Sequence, residues 1–306
     1  MVVNQQNMEV LLEQASRAAE LAELCLTLRR KKTELEAQLG MLEIHANNEQ
    51  LDVEKLEGLS VKSVLLWLAG KRSTILEIER QEAEEARQEC EAAKLELDAV
   101  TQQLELAQQE LDAMGDCSSV FAAMVKEVLP GYRTAASEDA VLLALDQKLA
   151  DLERLHKALE DTIVAGTVAR KKIGHVMDDL RVAKEQTVLL GGMSSVSDED
   201  SLNHTQKEVV DLRDELSLFK EAMLDLNLPQ ELRFDLHDFL LVEQDFLVKQ
   251  RTNTLVTGAS PQVMARLQLA DSQIEAILAY VSEELEETAV RMQPVMVSLG
   301  NVILKK

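Results

Sequence analysis

The most regular pattern in the chain is a stripe of small and apolar residues over residues 83–114. Its members follow one another at alternating intervals of three and four: Ala83, Ala86, Cys90, Ala93, Leu97, Val100, Leu104, Ala107, Leu111 and Met114. This alternation averages 3.5 residues, the period of a left-handed coiled coil. The pattern predicts a long helix whose narrow seam faces another helix.

A second stripe occurs in residues 4–48. It comprises Leu11, Ala15, Ala18, Ala22, Cys25, Leu28, Lys32, Leu35, Leu39, Leu42 and Ala46. Two intervals of three meet at Cys25, which predicts a local overwinding of the supercoil. Residues 4–48 and 71–114 are similar in length and are separated by Asn47-Asn48, Gly58 and Gly70. We therefore expect an antiparallel helical hairpin over residues 1–115, with arms about 65 Å long.

The segment between the arms, residues 51–70, concentrates apolar residues and holds the only tryptophan of the chain. Exposed apolar patches and tryptophan anchors are typical of protein interfaces, so this tip is a candidate docking site. Its candidate residues are Leu59, Val64, Leu65, Leu66, Trp67 and Leu68. The alternative is a short helix that folds back and caps its own hairpin, since single apolar elements more often close a core.

The regular pattern breaks after the hairpin. We expect a connector over residues 116–136, with Cys117 in a loop, a short helix over residues 120–129 and a turn at Pro130-Gly131. Ser137 then has the character of an N-cap at the start of the next long helix.

The rest of the chain, residues 137–306, repeats the spacing of three and four and predicts an elongated helical bundle, since one stripe cannot bury itself. Residues 193–201 are small, polar and acidic, which predicts a flexible loop in which Ser197 precedes three acids. We expect Pro294 to kink the last helix. The predicted helical segments are 137–190, 201–227, 230–257 and 261–304. The predicted fold is therefore all-α, with a long antiparallel coiled-coil hairpin joined to this bundle.

Composition supports long helices and excludes several classes of function. The 306 residues include 32 Lys and Arg against 55 Asp and Glu, which gives a net charge of -23. Only 3% of residues are aromatic and only four are proline, a bias of long helices rather than compact enzyme cores. The negative charge disfavours nucleic acid and anionic membrane surfaces as partners. No apolar stretch reaches the roughly 20 residues that span a bilayer, and the first residues do not resemble a signal peptide, so we expect a cytoplasmic protein.

The residues that could carry chemistry are dispersed. The five histidines lie far apart, and the three cysteines form no pair at the spacing of a metal site, so we expect no metal, no cofactor and no catalysis. Cys25 and Cys90 both lie on seams. Hairpin symmetry would bring them within about one turn of each other, either as buried thiols or as a reversible disulfide.

These observations favour a non-enzymatic coiled-coil scaffold or adaptor that acts through helix–helix interactions with a protein partner or with a second copy. The alternative is a peripheral membrane-associated hairpin protein that self-assembles. Such a hairpin usually presents a basic or amphipathic surface, which is not evident in this sequence.

Overall fold

A computed structural model describes residues 5–58, 72–135, 139–189, 197–232 and 260–305, together with Phe234 and Leu236. These residues form α-helices, one short 3-10 turn at Gln230–Leu232 and no strand, which confirms the all-α class. The helices are α1 (Gln5–Glu57), α2 (Arg72–Ala113), α3 (Cys117–Ala135), α4 (Ala140–Leu189), α5 (Ser197–Ala222) and α6 (Ser260–Leu304). The chain divides into two compact units, Met1–Ala135 with Met296–Lys306, and Ala136–Val295.

In the first unit, α1 and α2 pack along each other as the predicted hairpin. Their described stripe residues are buried or half-buried. The centre of the seam is a cluster of Cys25, Leu28, Leu35, Val100 and Ala107, flanked by Leu97, Leu104 and Leu111. Alternation of three and four thus identified the contact face of both arms.

Helix α1 does not end at Asn47-Asn48, as the sequence suggested, but continues to Glu57. Both asparagines are exposed. The extra turns bury Val53 and Leu56, which keep only 6% and 1% of their surface exposed. Asparagine lowers helix stability only by a few tenths of a kcal/mol, roughly, whereas burying one such side chain contributes about 1.5–3 kcal/mol. Packing therefore decides where the helix ends.

The predicted connector contains the expected helix, which is longer than residues 120–129 at both ends. Gly115, at a φ of 60°, forms the turn that leads from α2 into α3. Helix α3 runs through Pro130, where a turn was expected, and buries Phe121, Val125 and Leu129 at intervals of four residues. A proline removes one helix hydrogen bond, and the packed face next to it keeps the helix continuous. Cys117 is the first residue of this helix and is buried, so its expected loop position is wrong.

In the second unit, α4 and α5 pack along each other, and α6 contributes to the same core. Phe219 of α5 lies edge-on to Phe234, with ring centroids 5.6 Å apart. Asp139 caps α4, because its side-chain oxygen accepts hydrogen bonds from the backbone N–H groups of Val141 and Leu142. The predicted cap, Ser137, lies outside the described residues.

Several other predictions fall wholly or partly outside the described residues. The tip residues 59–70 are among them, as are residues 193–196 of the acidic loop and residues 237–257 of a predicted helix. Helix α5 already begins at Ser197, so residues 197–201 are helical rather than loop. Pro294 lies inside the continuous helix α6, where a kink stays a prediction.

Candidate functional site

Charged side chains fix the register of the hairpin. On one edge, Arg29, Glu43 and Glu57 of α1 pair with Gln108, Lys94 and Arg80 of α2, at 3.1, 2.9 and 2.6 Å. From each of these pairs to the next, the residue number rises by fourteen in α1 and falls by fourteen in α2. Fourteen residues are two heptads, so the pairs fit one antiparallel register. Lys31 and Glu96 pair on the opposite edge at 2.8 Å. These groups are exposed except for the half-buried Gln108, so each pair adds little stability, and together they show which residues face each other.

This register separates Cys25 from Cys90. Cys25 packs in the same cluster as Ala107 of α2, and Cys90 lies seventeen residues along that helix, about 25 Å away. The expected proximity of the two cysteines is wrong because α1 extends past the predicted stop and shifts the stagger of the arms. Burial raises the pKa of the Cys25 thiol, which favours its neutral form.

The side of α1 that points away from α2 carries an uncharged surface between residues 37 and 51. Its members lie within about one third of the helix circumference, and all are exposed: Ala37, Gly40, Met41, Ile44, Asn47, Asn48 and Leu51. Met41, Ile44 and Leu51 expose 67%, 65% and 41% of their surface. We call these seven residues the outer α1 face. It extends for about 21 Å, nearly four helical turns.

The neighbouring part of α2 is strongly acidic. The pairs of Glu43 with Lys94 and of Glu57 with Arg80 place α2 residues 80–94 beside α1 residues 43–57. Side-chain oxygens of Glu49, Glu79 and Glu82 lie within 4.8 Å of one another at this level. Five glutamates occur between residues 81 and 95, against Arg87 and Lys94: Glu82, Glu84, Glu85, Glu89 and Glu91. The same stretch of α1 is also acidic, because residues 33–54 hold six acids and no lysine or arginine: Glu34, Glu36, Glu43, Glu49, Asp52 and Glu54. The outer α1 face is thus an uncharged surface on a negatively charged part of the hairpin.

A second surface feature of the first unit is an open groove of about 420 Å³. Arg17 in this groove already pairs with Glu110, at 2.9 Å, and with Glu20. The lining is mainly polar and acidic: Glu9, Leu12, Glu13, Ser16, Arg17, Glu20 and Asn301. Binding pockets for small molecules are usually concave and mostly apolar, so this groove is a weaker candidate than the outer α1 face.

The second unit buries polar groups in its core. The Thr162 hydroxyl lies 2.8 Å and 3.0 Å from the carbonyl oxygens of Ala158 and Ala222, which links α4 to the end of α5. His156, placed on the α4 seam as predicted, has Nε2 3.6 Å from Glu160 and a buried Nδ1 without a hydrogen-bond partner. Glu153 precedes it by three residues, but metal bundles of the di-iron class need two such Glu-x-x-His pairs and further glutamates.

The predicted docking residues Leu59, Val64, Leu65, Leu66, Trp67 and Leu68 lie outside the described residues and stay a prediction. The sequence reasoning did not find the outer α1 face, because it followed where apolar residues recur. The sequence does contain one signal for this face. The solvent-facing positions of α1 that form it carry no charge, although 28% of the residues in the chain are charged.

The chain matches no model of a known protein family, no curated protein and no solved structure. Among the described helices, none combines the length and the apolar character needed to cross a bilayer. Any functional proposal therefore rests on the residues of this chain.

Proposed function

We propose that the protein is a non-enzymatic scaffold or adaptor that acts through helix–helix protein interactions. The observation that carries the proposal is the outer α1 face, which leaves large apolar side chains exposed although the seam between α1 and α2 is already filled. Single exposed apolar residues are ordinary, but an aligned group on an uncharged surface is typical of an interaction site.

The helices also provide a suitable support for such a surface. Helix α1 has 53 residues and is about 80 Å long. Helix α2, with 42 residues, packs along it. Side chains on paired helices hold their spacing better than side chains on single loops, so the outer α1 face is preorganised for a partner.

The burial of the three cysteine thiols supports a binding role rather than catalysis by a thiol. Cys25, Cys90 and Cys117 are all buried, whereas catalytic thiols need access and a positioned base.

The experiment is chemical cross-linking of the tagged full-length chain in its own cells, followed by purification and mass spectrometry. The proposal predicts a second protein at a fixed ratio to the chain, with cross-links to residues of α1 or α2. The double variant Leu66→Ser/Trp67→Ser reports separately on the tip, because loss of the partner with unchanged helicity would place docking there.

Recovery of the chain alone, with no protein cross-linked to it at any site, would overturn the proposal. Turnover of a small molecule by the purified chain would overturn its non-enzymatic part.

A further inference from the structure

We propose that the outer α1 face binds an amphipathic helix of another protein, one that carries Lys or Arg beside its apolar stripe. This inference rests on the proposed function and names the class of its partner. Three observations support it: the shape of the face, its unexplained glycine and the negative charge of the α1 segment around it.

The face has the dimensions of a helix-binding surface. Met41, Ile44 and Leu51 repeat at intervals of three and seven residues, so they form one line along α1. A partner helix that packs along about four turns of α1 can place apolar residues of its own, at intervals of three and four, between them.

Gly40 lies near the N-terminal end of this surface and packs against no residue in the part of the chain that the structure describes. A side chain added there would meet no atom within 4 Å. Glycine inside a helix costs about 0.5–1 kcal/mol relative to alanine, and at this position no internal contact requires it. Close approach by a second helix would make use of the missing side chain.

The charge of the hairpin indicates the sign of the partner. The part of α1 that carries the outer α1 face, residues 33–54, has six acidic residues and no lysine or arginine. Lysine or arginine on the partner would pair with exposed acids at the edges of the face, such as Glu34 and Glu54, and would steer association.

The same charge disfavours a second copy as the occupant. Each copy carries a net charge of -23, so pairing two such faces would bring two acidic arms together. The basic run of α1 is already engaged, because Arg29, Lys31 and Lys32 pair with Gln108, Glu96 and Glu36 of the same chain.

The test measures binding of synthetic helical peptides of 21 residues to the full chain by fluorescence anisotropy. The probe has leucine at intervals of three and four and lysine beside that stripe. One control peptide has glutamate in place of lysine, and another has the lysine probe's composition in scrambled order. We expect the probe to bind at least about tenfold more tightly than either control, a difference of about 1.4 kcal/mol.

Matched variants locate the binding surface. Met41→Gln/Ile44→Gln should weaken binding of the probe about tenfold or more, and Gly40→Leu should weaken it by blocking close approach. The control Leu95→Gln/Leu106→Gln removes two equally exposed apolar side chains from α2, at 71% and 67%, and should change binding less than about twofold. All four positions of the two double variants are exposed, and circular dichroism checks that the helices persist.

Equal binding of the ordered and scrambled peptides, or equal binding to wild type and Met41→Gln/Ile44→Gln, would overturn the inference in favour of unspecific charge attraction. A dimer in light scattering that dissociates in Met41→Gln/Ile44→Gln would overturn it in favour of a second copy. If the peptide does not bind as expected but cross-linking still finds a protein partner elsewhere on the hairpin, only this inference is overturned. If no protein is cross-linked at any site, the proposed function falls as well.

Discussion

Two glycines of α4, eight residues apart, occupy opposite environments. A side chain added at Gly166 would lie 2.7 Å from Leu278 and 2.8 Å from the ring of Phe219, which is itself fully buried against Phe234. A side chain added at Gly174 would meet nothing within 4 Å. The first glycine is required by close packing of helices, and the second is not.

Substitution of each glycine by alanine should therefore change stability in opposite directions. Gly166→Ala should lower the free energy of unfolding of the second unit by about 1–3 kcal/mol through overpacking. Gly174→Ala should raise it by about 0.5–1 kcal/mol, because alanine favours the helix. Hydrogen exchange of α4 amides measures both local effects. Equal stabilisation by the two substitutions would show that α5 and α6 do not pack at Gly166.

At the scale of elements, one partly buried cation joins α4 to α5. Lys172 Nζ lies 2.6 Å from a carboxylate oxygen of Glu208 and 3.5 Å from Asp211, and the Lys172 and Glu208 side chains are 20% and 16% exposed. The hydrogen bond to Glu208 is the main cause that raises the pKa of Lys172 above its ordinary value. The pair therefore stabilises the contact between the two helices.

Lys172→Met should destabilise the second unit by about 1–2 kcal/mol, because Glu208 loses the ammonium group that lies 2.6 Å from its carboxylate. The folded-state pKa of Lys172 is the higher one, so this contribution is complete below pH about 10 and disappears as the pH rises through that pKa. The control Lys148→Met removes an exposed lysine of the same helix and should change stability by less than about 0.5 kcal/mol. Urea unfolding at pH 7 and above pH 10 compares the variants, and an unchanged midpoint for Lys172→Met would contradict the assignment.

The elements differ in how well the sequence predicts them. Recurrence at three and four residues identified the buried sides of α1, α2, α4, α5 and α6, because helical geometry alone aligns residues at those intervals. The ends of α1 and α3 were not predictable from Asn47-Asn48 or Pro130. The local penalty at the asparagines is smaller than the gain from burying Leu56. The penalty at Pro130, about 3 kcal/mol, is offset only by the combined burial of Phe121, Val125 and Leu129.

The register of the hairpin also required the structure. The stripe of α2 offers an apolar or small residue at every third or fourth position, so the pattern alone does not distinguish a pairing of Cys25 with Cys90 from a pairing with Ala107. Charged pairs such as Glu43 with Lys94 select one register. The outer α1 face depends on this result, since only the orientation of the seam shows that Met41 and Ile44 point away from α2.

At the scale of the whole molecule, repulsion among negative charges opposes folding. Most ion pairs between helices are exposed and contribute little, whereas the net charge of -23 acts over the entire chain. Salt screens both the attraction within the ion pairs and the repulsion among the excess negative charges. The repulsion is the larger of the two.

Raising sodium chloride from about 20 mM to about 300 mM, which shortens the Debye length severalfold, should therefore increase the melting temperature. We expect a rise of about 2–4 °C, equivalent to roughly 1 kcal/mol. Thermal melts followed by circular dichroism measure it, with sucrose at equal osmolality as the control for unspecific solute effects. A fall in the melting temperature would mean that the ion pairs outweigh the repulsion.

The central claim is that one chain closes its own hairpin and so leaves the outer α1 face available to a partner. The most direct measurement is cross-linking of the double variant Glu43→Cys/Lys94→Cys with a short bismaleimide, with Glu43→Cys/Arg80→Cys as the control. The control cysteine lies about 21 Å further along α2, and the native thiols are buried. Closure of the hairpin within one chain predicts a cross-link within single chains for the first variant and little for the second. Cross-links that mainly join two chains, or equal yields from the two variants, would contradict it and make the seam itself the interaction surface.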